Sequence, residues 1–234
     1  MTPKQNRGAG KRRSPAVPLN YYESRAEKRQ SNLFFIFCNG KVTEMKYFTE
    51  LVKDLAGNNI RSQFLTVEFV NKAPKQIVEH ARDYVNKYKR SYTENNDIVW
   101  VVFDQDDFGE NYSTAISLAQ QSHINVAYSN VCFELWLLLH FQEQTKQITR
   151  ANLTKLLQHK QEENKKTKIE SKSKLKHFPY GIIRKYGNRE LAVERAEKLH
   201  NTASQKLPET PWEINPVTNV YQLVRELQKF CNIQ

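Results

Sequence analysis

With 234 residues, of which 39% are hydrophobic and 26% charged, the chain can bury one substantial core or two small ones, and it is too short for more. No apolar run approaches the roughly 20 residues that cross a bilayer, and the N-terminus is rich in Lys, Arg, Asn and Gly without a signal-peptide core, so no membrane association and a cytoplasmic location are expected. Cys38, Cys132 and Cys231 are odd in number and widely spaced, which argues for reduced, mostly buried thiols rather than a disulfide framework.

The formal charge of +11 is unevenly spread. Residues 1–30 hold 8 Lys+Arg against 2 Asp+Glu, residues 31–145 hold 10 against 14, and residues 146–234 hold 18 against 9. An acidic centre between basic flanks suits a metal-dependent enzyme acting on a polyanion, because the flanks attract phosphate while the centre holds cations. Basic flanks also serve solubility and disorder alone.

Taken in chain order, residues 1–30, with Gly8-Ala9-Gly10-Lys11-Arg12-Arg13, Pro15 and Pro18, read as a basic arm that orders only on a partner. Leu33–Cys38 is a continuous apolar run of strand length, the mark of a strand covered on both faces. Thr43 has the character of a helix N-cap, and Met45, Phe48, Leu51, Val52 and Leu55 follow at helical spacing to a stop at Gly57. Phe64–Val70 is a second strand, and Pro74 opens a second helix carrying Ile77, Val78, Ala81, Tyr84, Val85 and Tyr88. A strand over Ile98–Phe103, a helix over Ser113–Gln121 and a strand over Ile124–Tyr128 complete an alternation that predicts a parallel sheet with helices on both faces. Such sheets carry their sites at the carboxyl ends of the strands.

Ser129 or Asn130 is then expected to cap a helix that is apolar nearly all round as far as Phe141. Beyond about residue 145 no further strand is evident. Thr149–His159 and Asn188–Thr202 read as amphipathic helices, Asn215-Pro216 as the cap of a final helix through Val220, Leu223, Val224, Leu227 and Phe230, and Lys160–Lys176 as a mobile basic loop suited to clamping a substrate. The expected organisation is a disordered basic arm (1–30), an α/β core (31–145) and a basic helical extension (146–234).

Chemistry concentrates in two places. The Ile98–Phe103 strand delivers Asp104-Gln105-Asp106-Asp107. In extended geometry Asp104 and Asp106 project to one side, and two such carboxylates repel unless a cation lies between them. With no Cys-x-x-Cys or His-x-x-x-His pair in the chain, a metal here would be oxygen-ligated, which suits Mg²⁺ or Mn²⁺. The competing reading is an acidic loop after a buried strand. Glu134, inside the apolar Ser129–Phe141 stretch, is either metal-bound or paired, since a buried carboxylate is costly, or it sits in a first helical turn favoured by the helix dipole and touching solvent.

The set Phe37-Cys38-Asn39-Gly40-Lys41-Val42-Thr43-Glu44-Met45-Lys46-Tyr47-Phe48, Val102-Phe103-Asp104-Gln105-Asp106-Asp107-Phe108, Ser129-Asn130-Val131-Cys132-Phe133-Glu134-Leu135-Trp136-Leu137-Leu138-Leu139-His140-Phe141 and Asn215-Pro216-Val217-Thr218-Asn219-Val220 strongly resembles the RloB-like family from about residue 31 onward. That family belongs with the Toprim-fold nucleases, related to abortive-infection AbiL and OLD-type nucleases. The resemblance implies a Toprim-like parallel sheet flanked by helices, a Mg²⁺-dependent (or Mn²⁺-dependent) phosphodiesterase site, and a role in anti-phage defence beside an ABC-type ATPase. By position, Asp104 and Asp106 match the metal-ligating Asp-x-Asp, Glu134 matches the acidic residue of the third block, and Glu44 matches the second Glu of a Cys-Glu-Gly-x-x-Thr-Glu motif. The first Glu of that motif, the main catalytic carboxylate of Toprim nucleases, is Asn39 here.

Asn39 can ligate through its carbonyl oxygen, but it is neutral and cannot act as a general base. Three accounts follow: cleavage is lost and binding kept, Glu44 or Asp107 compensates, or the Asn is an introduced substitution. If the site is active, Asp104, Asp106 and Glu134 are expected to hold metal around a scissile phosphate, with Asn39 and Glu44 in the catalytic set. Gly40 would let backbone approach phosphate at the helix opening at Thr43. Lys41, Lys172, Lys174, Lys176 and Arg184 are the expected nucleic-acid contacts, with Phe178 and Tyr180 available to stack on unpaired bases. The substrate class is DNA or RNA, tRNA included. The rival reading is a catalytically degenerate Toprim protein that binds nucleic acid or an ATPase as a regulatory subunit.

Overall fold

The computed structural model describes residues 33–57, 64–89, 97–105, 110–165 and 178–232. In chain order they form β1 (Phe34–Cys38), α1 (Glu44–Ala56), β2 (Leu65–Phe69), α2 (Pro74–Lys89), β3 (Ile98–Asp104), α3 (Glu110–Gln121), β4 (Asn125–Asn130), α4 (Glu134–Leu139), α5 (Arg150–Lys165), α6 (Tyr180–Tyr186), α7 (Arg189–Lys206), a 3₁₀ turn (Pro211–Glu213), β5 (Val217–Thr218) and α8 (Val220–Asn232). The strands make one sheet in the order β2-β1-β3-β4-β5. The first four are mutually parallel and β5 is antiparallel to β4. This mixed α/β architecture is the one expected from the alternating pattern, and it is consistent with a Toprim-like fold.

Alternation along the strands divides the interior. Phe34, Ile36, Cys38, Trp100, Val102 and Ala127 face one cluster with α1, α4 and α8. Phe35, Phe37, Val99, Val101, Phe103 and Tyr128 face a second with α2 and α3. β1 and β3 are thus buried from both sides, which accounts for their unbroken apolar sequences. The strand order reverses at β1: the chain steps one way to β2 and returns past β1 to β3. At such a reversal the flanking connections lie on opposite faces, and a crevice opens beyond the carboxyl ends of the two central strands. Asn39 and Gly40 leave β1 at that crevice, and Asp104 closes β3 there.

Several expectations need correction. Ser129 and Asn130 do not cap a helix; they are the last residues of β4, and α4 starts only at Glu134 with Phe133 before it. Residues beyond 145 are not without a strand, because Val217–Thr218 pairs with Ser129 and Asn130. A two-residue strand is too short to declare itself by periodicity. Asn215-Pro216 therefore precedes a strand rather than capping the last helix. Its side chain clasps the backbone at Ile148, accepting from that N–H at 3.1 Å and donating to that carbonyl at 2.9 Å. Asn219 works similarly on β4, accepting from Tyr128 N–H at 2.6 Å and donating to the Val126 carbonyl at 2.8 Å. These bonds satisfy strand-edge groups that β5 is too short to cover.

Thr43 precedes α1 as expected but makes no side-chain cap, whereas Asn188 caps α7 by accepting from Leu191 N–H at 2.9 Å. The helix α6 was not anticipated. All three cysteines are free and buried. Among the described residues no helix is long and apolar enough to cross a membrane. The arm at 1–30, Asp106, Asp107, Lys172, Lys174 and Lys176 lie outside the described residues.

Candidate active site

Three elements deliver acidic groups to the crevice. β3 ends on Asp104, whose neighbour Gln105 donates its backbone N–H to the Ser129 carbonyl at 3.1 Å, so the ends of β3 and β4 stay in register. Where β4 has turned, Glu134 opens α4. It is half-buried in the first turn, where the helix dipole favours a carboxylate. The expectation that Glu134 is enclosed by the apolar helix is therefore corrected to its alternative: the apolar residues Leu135–Leu139 are buried and Glu134 stays at the rim. Glu44 opens α1 and is itself buried, at 7% exposure.

Glu44 folds back over the loop that leaves β1. A Cβ built on Gly40 would meet the Glu44 carboxylate, which as the end of a flexible side chain could swing aside, so the close approach favours glycine here without demanding it. The carboxyl of Glu44 is pushed up to about 7, first by burial and then by the negative charge of Glu134, against the opposing pull of its own backbone amide and of Arg150. Near neutral pH such a group exists in both forms and can give or take a proton.

Cys132 reports the same convergence. Burial raises its thiol well above the usual range, and the charges of Glu134 and Asp104, with a hydrogen bond to Glu134, raise it further. Asp104 and Glu134, thirty positions apart in the chain, thus act on one buried atom. Asn39 follows β1 with its backbone N–H donated to the Val102 carbonyl at 2.9 Å, and this ties it to the strand that carries Asp104. Lys41 is exposed at the rim, with Nζ 5.9 Å from the centre of the Phe69 ring.

The cation of this site is one the sequence did not single out. Arg150, first residue of α5, places a guanidinium nitrogen 3.7 Å from Asp104 Oδ2. Its only signal in the sequence was a basic residue at a helix start, where the dipole disfavours it.

Other expected contacts lie elsewhere. Arg184 pairs with Asp54 at 3.4 Å on the wall of a cleft of about 400 Å³ lined by Tyr47, Asp54, His140, Tyr180 and the start of α7. Neither Asp104 nor Glu134 borders it. Phe178 meets Phe141 edge-on at 5.6 Å, and Tyr180 meets Tyr47 at 5.5 Å and donates to Asp54 at 2.9 Å. Both rings are thereby used by the fold rather than presented for stacking. His140, at 3% exposure, is held between Tyr47 Oη at 3.2 Å and the Trp136 carbonyl at 2.9 Å.

Among the described residues no group of three His, Cys, Asp or Glu side chains is gathered closely enough to hold a metal ion. The oxygen donors that are described, Asp104 and Glu134, have the chemistry that a hard divalent cation takes. A family model for RloB-like proteins matches residues 34–227, a span that includes every acidic group just described. Neither a curated protein nor a solved structure matches the chain. With that match covering most of its length, the chain belongs to the RloB-like family.

Proposed function

We propose that the protein is a metal-dependent nucleic-acid phosphodiesterase, the nuclease of an anti-phage defence system that works with an ABC-type ATPase. The observation that carries the reading is that Glu134 acts on Glu44 and that Asp104 and Glu134 both act on Cys132, from elements that end at the reversal point of the sheet. Acids brought toward one another at the end of a sheet cost stability unless a cation or a phosphate chemistry uses them.

Asp104 and Glu134, with Asp106, would hold Mg²⁺ or Mn²⁺. A bound ion of this kind lowers the pKa of water and offsets charge on a phosphoryl oxygen. The chain's own residues do the rest. The Glu44 carboxylate lies over Gly40, so a phosphate approaching this backbone would have to displace it, at the start of a helix whose dipole favours an anion. Glu44, poised near neutrality, can move a proton there. Asn39 can orient a water or a phosphate oxygen but cannot deprotonate either.

A second reading has its own support: a neutral Asn39 beside a Glu44 carboxyl that covers Gly40 suits a protein that binds nucleic acid or an ATPase without cutting. Incubating the purified protein with plasmid, single-stranded DNA and tRNA, with Mg²⁺ or Mn²⁺, separates the two. Cleavage that disappears in Asp104→Ala supports the nuclease; binding without cleavage at any metal concentration leaves the binding protein.

A further inference from the structure

We propose that Arg150 is the phosphate-binding residue of this site, holding a non-bridging oxygen of the nucleic-acid backbone beside Asp104. The placement is built from two sides. α5 begins at Arg150 and carries its guanidinium to the carboxyl end of β3. Two residues earlier, Asn215 grips both backbone groups of Ile148, and Thr218 and Asn219 of the same segment are bonded to β4. The Asn215–Asn219 segment thus fixes the start of α5 relative to the strand ends, which a helix cap alone would not do.

The contact itself is informative. At 3.7 Å, with the Arg150 side chain 52% exposed and Asp104 18% exposed, it is a charge contact rather than a bidentate bond. A guanidinium has five donors in a planar fork that matches phosphate. Its charge also opposes the upward push of burial on Glu44 and on Cys132, so Arg150 acts on more of the site than Asp104 alone. A cation among carboxylates is what lets a polyanion approach groups that would otherwise repel it.

The assignment deepens the nuclease reading, and its test is independent of cleavage. Fluorescein-labelled 20-nucleotide single-stranded DNA and RNA are bound by fluorescence anisotropy in EDTA across a salt series. Arg150→Ala is expected to weaken binding about tenfold and to reduce the salt slope by about 1, while Arg150→Lys keeps the slope and loses part of the affinity. Asp104→Asn, which removes a negative charge beside the phosphate, is expected to strengthen metal-free binding. A purely structural pair predicts instead that both Arg150→Ala and Asp104→Asn weaken binding together. If Arg150→Ala melts early, Arg150→Gln reads the same slope with the side-chain stem retained, and Lys198→Ala serves as a distant control. An unchanged slope in Arg150→Ala, or no binding of either probe by the wild type, overturns the proposal. A reduced slope in a protein that never cuts leaves Arg150 standing and removes the nuclease; Asp104-dependent cutting with an unchanged slope does the reverse.

Discussion

The crevice at the strand ends and the cleft beside α6 and α7 are both polar, and they treat charge in opposite ways. In the cleft, most polar groups are answered locally: Arg184 and Tyr180 both reach Asp54, and His140 is bonded to Tyr47 and to a backbone carbonyl. In the crevice, Glu134 pushes on Glu44, Asp104 and Glu134 both act on Cys132, and Arg150 lies beside Asp104 and opposes the push on Glu44. The cleft encloses about 400 Å³, yet volume by itself does not locate chemistry. Of the shifted groups of the cleft, His140 and Tyr47 are held neutral and bonded to each other, whereas in the crevice a carboxyl is raised toward neutral pH beside another acid.

The sharpest way to break this contrast is to neutralise one residue on each side. Asp104→Asn is expected to lower metal-dependent cleavage by at least about 100-fold while leaving the melting temperature nearly unchanged, since the side chain sits at the rim; assays of cleavage and thermal unfolding on the same preparation check both halves. Trp136→Ala, behind the cleft, should do the opposite. Trp136 is fully buried against His140 and Tyr47, so truncation should cost about 3–5 kcal/mol and lower Tm by on the order of 10 °C, with residual activity per folded molecule retained.

The two regions also titrate in opposite senses. Burial, with Arg189 and Arg195 nearby, lowers His140 from 6.5 to about 4, against the opposing pull of its backbone hydrogen bonds. Between those values the unfolded chain binds a proton that the folded one does not, so this residue makes stability rise with pH. Glu44, raised from 4.5 to about 7, binds a proton in the folded state that the unfolded chain has released, and makes stability fall with pH. Each is worth up to about 3 kcal/mol, so in EDTA the two contributions nearly cancel in the wild type. Denaturant unfolding of Glu44→Gln should therefore show stability climbing from about pH 4 to about pH 6.5, and His140→Gln should show it declining from about pH 4.5 to about pH 7. A Glu44→Gln protein with no rise would mean that His140 is not held neutral.

The smallest effect is expected at Asp54→Asn. Its partner Arg184 is exposed and the pair lies at the surface of the cleft, where such pairs contribute about 0–1 kcal/mol; Tyr180 can still donate to an amide oxygen. Equilibrium unfolding should shift by no more than that, and oligonucleotide affinity should not move. A large loss of affinity would restore Arg184 as a nucleic-acid contact and blur the distinction between the two regions.

The four parallel strands and most of the helices could be read from local pattern, because a strand buried on both faces must be apolar throughout and a helix on a sheet must carry an apolar stripe. Asp104 and Glu134 were legible for a related reason: an acid is conspicuous at the end of an apolar run. Glu134 at the rim, rather than inside, depended on where α4 begins, and that is set by β4 running on through Ser129 and Asn130 to pair with β5. No local signal encodes a partner 89 residues away.

What the sequence determined by itself is the alternation of strands and helices, the acidic strand end and the basic flanks, since each follows from residue type and spacing alone. What only the tertiary structure decided is the strand order, with its reversal at β1, and the company that Asp104 keeps. Glu44, Glu134 and Arg150 come to one crevice because β1 and β3 are neighbours and because Asn215 holds the start of α5 against them. Those are contacts between distant parts of the chain, fixed by packing on two faces of a sheet, and no periodicity within a segment can specify them.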